Sequence, residues 1–180
     1  MPIYNNVNDL NTLITSNEVI SNSITNLNFD ATLISNNMIK LAEINHIEKP
    51  LSRPFYEELV TQHHGATLTA DNQTLMDDYL VRTLSWFVKF EIMNDLQYNT
   101  SNSGIMTNID DFSTAVSQKQ YDLMKQDVYR KATVYLNDMI DFLRGDAQLN
   151  AYPTFRQNAP SEDGSTDTGS ANKNHGIIFY

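Results

Sequence analysis

The chain contains no cysteine. Disulfides, thiolate metal sites and a cysteine nucleophile are excluded at once. It is also poor in basic charge, with 12 Lys and Arg against 22 Asp and Glu, a formal charge of −10 and a pI near 4.6. A protein that grips nucleic acid through its phosphates needs clustered Lys and Arg, so that class is disfavoured. No apolar run approaches the roughly 18 residues of a membrane span. Met1 to Asn6 lack the basic and apolar regions of a signal peptide. The chain is therefore expected to be soluble, with no membrane partner. Phosphate-cradling glycine loops, zinc-ligand spacings and internal repeats are missing as well. No nucleophile has a base beside it in sequence. The expectation is a non-enzyme with no catalytic residues, no metal and no cofactor.

What is present is helical patterning, in a chain long enough to bury one core. Ser16-Asn17-Glu18 offers capping residues for a short first helix. Asp30 reads as the N-cap of a second helix, with Ile34, Met38, Leu41 and Ile44 on one face. Pro50 and Pro54 should close that segment, and Leu51 to Tyr56 should form a tight corner. Phe55 to Gln62 reads as a short third helix.

Two long helices follow. Thr74 to Leu96, with Asp71 as N-cap, carries a broad apolar face of Leu75, Met76, Tyr79, Leu80, Leu84, Phe87, Val88, Ile92 and Leu96. Trp86 and Phe90 stand off that face as candidate contacts with another subunit. A helix this apolar is either central in a bundle or covered by a partner. The second long helix, Val116 to Leu143, carries a narrow stripe of Tyr121, Met124, Val128, Ala132, Tyr135, Met139 and Phe142. Ser117 to Gln120 fits a capping box, with Ser113 or Thr114 as alternative caps, and Gly145 should end the helix. The short polar joint Asn102-Ser103-Gly104-Ile105 between them favours antiparallel packing.

Two sites tempt a chemical reading. His63-His64 could bind a metal, but adjacent helical side chains point about 100° apart. An ordinary helix end with Gly65 as C-cap explains them. Asp110-Asp111 could hold a cation or act as acid and base. Just before a helix, they serve as well to complement its dipole.

From Arg156 to Gly176 there is no aromatic and no aliphatic residue larger than alanine. Such a stretch cannot bury enough apolar surface to offset its ordering entropy and is expected to be a flexible arm. It leads to four large apolar residues, Ile177, Ile178, Phe179 and Tyr180. They read as an anchor that docks on a neighbouring chain or folds back on its own domain.

Taken in order, four stretches are similar to those of phage head–tail connector proteins, the neck adaptors beneath the portal. They are Leu13-Ile14-Thr15-Ser16-Asn17-Glu18-Val19-Ile20 followed by Asn28-Phe29-Asp30; Leu51 to Leu59, with Phe55-Tyr56-Glu57-Glu58-Leu59; Asn102-Ser103-Gly104-Ile105; and Val134 to Leu143 followed by Tyr152-Pro153. The chain most resembles the variant in tailed phages of Bacteroidetes, including crAss-like phages. The resemblance spans residues 10–155, and order and spacing carry it.

It implies a mainly α fold, a small helical bundle (residues 1–155) with antiparallel long helices; the extended C-terminal arm (156–180), read from composition, lies outside the resemblance. It implies a structural virion protein assembled in the host cytoplasm, a homo-oligomeric and dodecameric adaptor ring at the head-to-tail joint. Its partners would be its own subunits, the portal and another neck or tail protein, with genomic DNA passing through the lumen unbound. The acidic balance suits a conduit that should not hold phosphates. The alternatives are a helical interaction module with a docking tail, or a small metal-dependent hydrolase using Asp110, Asp111 and His63 or His64.

Overall fold

A reciprocal capping box opens the first helix. Thr15 Oγ1 accepts from the Glu18 backbone N–H at 3.3 Å, and the Glu18 carboxylate accepts from the Thr15 N–H at 2.7 Å. Two donors that a helix start would leave orphaned are satisfied together. The computed structural model describes residues 11–24, 29–101, 104–107, 118–148 and 150–159, with the backbone alone at 94–101, 104–107 and 118. Helix α1 spans Ser16–Ser23.

Asp30 does not start the second helix. It caps a single 3₁₀ turn, Ala31–Leu33, and Ser35 caps α2, Asn36–Ala42. Helix α2 runs on through a π turn, Glu43–Glu48, into α3, Lys49–Leu51. Ile34 and Met38 of the stripe read from sequence do pack on the core, but its second half is overturned. Leu41 and Ile44 are 48% and 50% exposed, whereas Ile39, Glu43, Ile47 and Leu51 are buried. That row steps by four residues, and an α-helix drifts by about 40° over each such step. A π turn, with its wider i→i+5 bonding, takes up the drift and keeps the row facing inward.

Pro50 does not close the segment either, since it lies inside α3. The chain turns at Ser52, a buried residue at φ 66 and ψ 144. Helix α4, Arg53–His64, follows at once with Pro54 in its first turn, where the missing N–H is harmless. Phe55 and Tyr56 thus belong to a helix and its buried face, not to a corner. Gly65 is the C-cap, as expected, but at φ −77; the left-handed residue is Ala66, at φ 51. A Cβ on Gly65 would meet the Thr61 carbonyl at 3.0 Å.

Helix α5, Ala70–Leu75, a π turn, Met76–Leu80, and α6, Val81–Gln97, form one unbroken helical run. It starts earlier than expected because Thr69, not Asp71, is the cap: Thr69 Oγ1 accepts from the Asn72 N–H at 3.2 Å. Asp71 sits in the first turn, where its charge complements the dipole. Asn72, Met76, Leu80, Leu84, Val88 and Ile92 are buried at four-residue steps, again around a π turn. Helices α1 and α2, the first π turn and the long helix over Gln118–Arg144 all pack against α6. Of the two readings of this apolar helix, it is the central one.

The joint after α6 is not a short hinge. Strands β1, Tyr98–Ser101, and β2, Gly104–Thr107, pair antiparallel from Tyr98 opposite Thr107 to Ser101 opposite Gly104. A two-residue connection is the commonest way to close such a hairpin. The expected caps Ser113, Thr114 and Ser117 lie outside the described residues.

Helix α7, Gln118–Arg144, returns antiparallel to α6: Tyr79 meets Phe142, Trp86 meets Tyr135 and Phe90 meets Tyr129. It buries Val128, Ala132, Met139 and Leu143. Met124, read as part of this stripe, is 54% exposed. After Gly145 a 3₁₀ turn, Asp146–Gln148, leads to α8, Pro153–Asn158, so the boundary placed between 155 and 156 falls inside a helix. Tyr152 and Phe155 pack on Phe55 at 6.0 and 5.8 Å, and Tyr152 OH donates to the Asp71 carbonyl at 2.7 Å. Burial and the Asp71 charge push the Tyr152 hydroxyl up to about 12. The fold is a mainly α bundle with antiparallel long helices. No helix among the described residues is long and apolar enough to cross a membrane. The arm from residue 160 onward lies outside the described residues.

Candidate functional site

Aromatic residues on α6 and on the π turn before it recur at helical spacing and meet counterparts on α7. Tyr79 stacks on Phe142 at 4.3 Å, Trp86 tilts on Tyr135 at 6.3 Å, and Phe90 packs on Tyr129 at 5.0 Å. Cations cover these rings. Lys89 Nζ lies 4.8 Å and Lys131 Nζ 5.3 Å from the Trp86 ring, Arg82 lies 5.5 Å from Tyr135, and Lys125 4.8 Å from Phe90. Each such contact contributes about 0.5–1 kcal/mol when exposed. Burial and the neighbouring Lys131 hold the Lys89 ammonium below its ordinary value, and Lys89 donates to the Ser23 carbonyl at 2.6 Å. Lys131 and Arg130 both reach Asp127 at 2.8 Å and hold its carboxyl below the usual range. Trp86 and Phe90, singled out as contacts with another chain, are half-buried and covered by α7 and these cations.

Beside this seam α7 presents an open groove of about 840 Å³. Its described lining includes Phe90, Tyr129 and Val134 as apolar surface and Lys125, Arg130 and Asp122 as charges. The groove follows one helical face, since these α7 residues recur at steps of three to five. Val134 is 55% and Tyr129 36% exposed, and Leu123 and Met124 are exposed a turn away. A bundle with a finished core has no internal use for them. Such a face can seat an apolar segment between two basic side chains.

A second polar constellation lies deep in the fold. Glu43 is fully buried and accepts from the Leu13 N–H at 2.6 Å, Tyr56 OH at 2.7 Å and Lys40 Nζ at 3.0 Å. Lys40 also donates to the Asn11 carbonyl at 3.0 Å and to Tyr56 at 2.6 Å. The ion pair ties residues 11–13 onto the bundle. Sequence reasoning missed it because Lys40 and Glu43, three apart on a helix, read as an ordinary solvated pair.

The described histidines, His46, His63 and His64, do not converge. His63 and His64 meet edge to face at 5.2 Å, and His64 Nε2 lies 3.0 Å from the Thr12 carbonyl. Burial, then the neighbouring His63, push the His64 imidazole below its ordinary value. His46 stacks on Phe87 at 4.3 Å and reaches Glu91 at 2.7 Å. Among the described residues no three His, Asp or Glu side chains are placed to hold a metal ion. Asp110 and Asp111 lie outside the described residues, as do Ile177, Ile178, Phe179 and Tyr180.

A family model described as "Family of unknown function (DUF6712)" matches residues 47–165, about two thirds of the chain. The chain belongs to this family. No curated protein and no solved structure matches it. The DUF6712 match begins in the first π turn and runs through α8, so the α6–α7 seam and its groove fall inside it. Helix α1 and the Lys40–Glu43 pair precede it.

Proposed function

We propose that this DUF6712 protein is a structural assembly subunit, an adaptor ring of the head-to-tail joint in a tailed phage. It links the portal to the next neck or tail component and acts by complementary surfaces without turnover. The supporting observation is the outer face of α7. The core is closed by Val128, Ala132, Met139 and Leu143, yet the same helix leaves Leu123, Met124, Tyr129 and Val134 exposed beside an open groove. Apolar side chains held on a rigid helix next to charge suit a docking surface. The resemblance to neck adaptors assigns that surface to virion assembly, and the net charge of −10 suits a ring through which DNA passes without sticking.

A second reading, a helical interaction module outside any virion, draws on the same groove. The two separate by location. Purified particles of the phage that encodes the chain should contain it in a fixed ratio to the portal, and tagged copies should label the neck in electron micrographs. Particles free of the protein would end the adaptor reading and leave the interaction module.

A further inference from the structure

The groove on α7 is lined by Phe90, Tyr129 and Val134 and flanked by Lys125 and Arg130 against Asp122, one cation in excess in a chain of net charge −10, with Arg130 also reaching Asp127. The same chain carries a segment of matching chemistry. Ile177-Ile178-Phe179-Tyr180 offers four large apolar side chains, and the residues leading to it hold Glu162, Asp163 and Asp167 against Lys173 alone. We infer that the groove is the acceptor for Ile177–Tyr180 of a second copy of the chain. This inference rests on the self-assembly part of the adaptor reading.

Three arguments bear on it. The first is complementarity: aromatic and aliphatic side chains fill the apolar floor while the acidic lead-in passes the cations. The second is reach. Seventeen residues lie between Ala159 and Ile177, a length that covers about 23 Å as a coil and about 60 Å when extended. Tyr152 touches Phe142 at 5.9 Å, so the lead-in departs from the C-terminal end of α7. Tyr129 lies about 20 Å from there along the helix. Either length of lead-in covers that distance.

The third argument is symmetry. A closed ring joins two different patches on each subunit, one giving and one receiving. A groove and a tail are such a pair, and a subunit with both can be repeated around a ring with none left over.

Complementation tests this in the full chain. One variant lacks residues 177–180 but keeps the groove. The other keeps the tail and carries Val134→Glu, with Arg130→Glu as a second acceptor variant should the first melt abnormally. Both positions are exposed, so the melting temperature should stay at the parent value. Each variant alone should self-associate at least tenfold more weakly than the parent. Mixed, they should form a one-to-one complex visible by native mass spectrometry. Mixing without pairing overturns the inference, as does a parent that never self-associates. A truncated monomer that melts lower than the parent also overturns it, since the tail then fills its own groove. If mixing fails while the parent still forms rings, the adaptor reading survives and the groove–tail contact alone is lost. If mixing succeeds while no ring forms, the contact stands and the ring is lost.

Discussion

At the scale of single residues, the most consequential is Glu43. It is buried with Lys40 and receives three hydrogen bonds, one from the backbone of Leu13. Glu43→Ala leaves the Lys40 ammonium buried without its counter-charge, which should destabilise the fold by about 3–5 kcal/mol. Removing both charges with Lys40→Met and Glu43→Leu should restore most of that stability. Urea unfolding of the two variants decides the matter; equal losses would show that the pair is not an electrostatic unit. His64 makes a pH-dependent contribution. Its imidazole is held below the ordinary 6.5 by burial and by His63, so between the folded and unfolded values the unfolded chain binds more protons. Stability therefore rises with pH in that interval. Acidification through about 6.5 should weaken the fold, levelling off once the folded imidazole is also protonated. His64→Gln should flatten this part of the stability–pH curve, and an unchanged slope in the variant would refute the assignment.

At the scale of elements, α7 separates what is buried from what is offered. Ala132 is fully buried against α6, and Val134, two residues on, is 55% exposed. Ala132→Asp should lower stability by several kcal/mol through an unpaired buried charge. Val134→Asp should stay within about 0.5 kcal/mol. Thermal melts that rank the two in the opposite order would reverse the face assigned to the helix. The long helices were legible in the sequence because their apolar residues recur with helical period, but the central place of Leu75 to Ile92 was not, because an apolar face covered by a partner would read the same until the packing of α1, α2 and α7 on α6 is seen. The face of α2 was not legible either. Helix α2 begins only at Asn36, so a stripe counted from Ile34 starts outside it and puts Leu41 and Ile44 inside when they face out, while the π turn between Glu43 and Glu48 keeps Ile47 and Leu51 on the inward row of Ile39 and Glu43. The hairpin after α6 was hidden as well, since Asn102-Ser103 reads equally as a helix joint. Of the candidate site, Phe90 and Trp86 were legible as large residues off the main face. Lys125, Tyr129 and Arg130 were not, because their partnership with Phe90 depends on the antiparallel register of two helices far apart in sequence.

At the scale of the whole molecule, the proposed adaptor role makes the chain one part of a repeating object. The bundle has a closed core, its longest helix displays apolar residues and a groove, and its sequence resembles neck adaptors in the order of four stretches. A lone subunit would leave that face in water, whereas an assembly would cover it. The most direct measurement is the native mass of the purified full chain, alone and after mixing with the portal of the same phage. An adaptor should form a closed oligomer of one defined stoichiometry, alone or on the portal, and bind the portal as a unit. A chain that remains monomeric in both conditions, with no mass shift on the portal, would contradict that role.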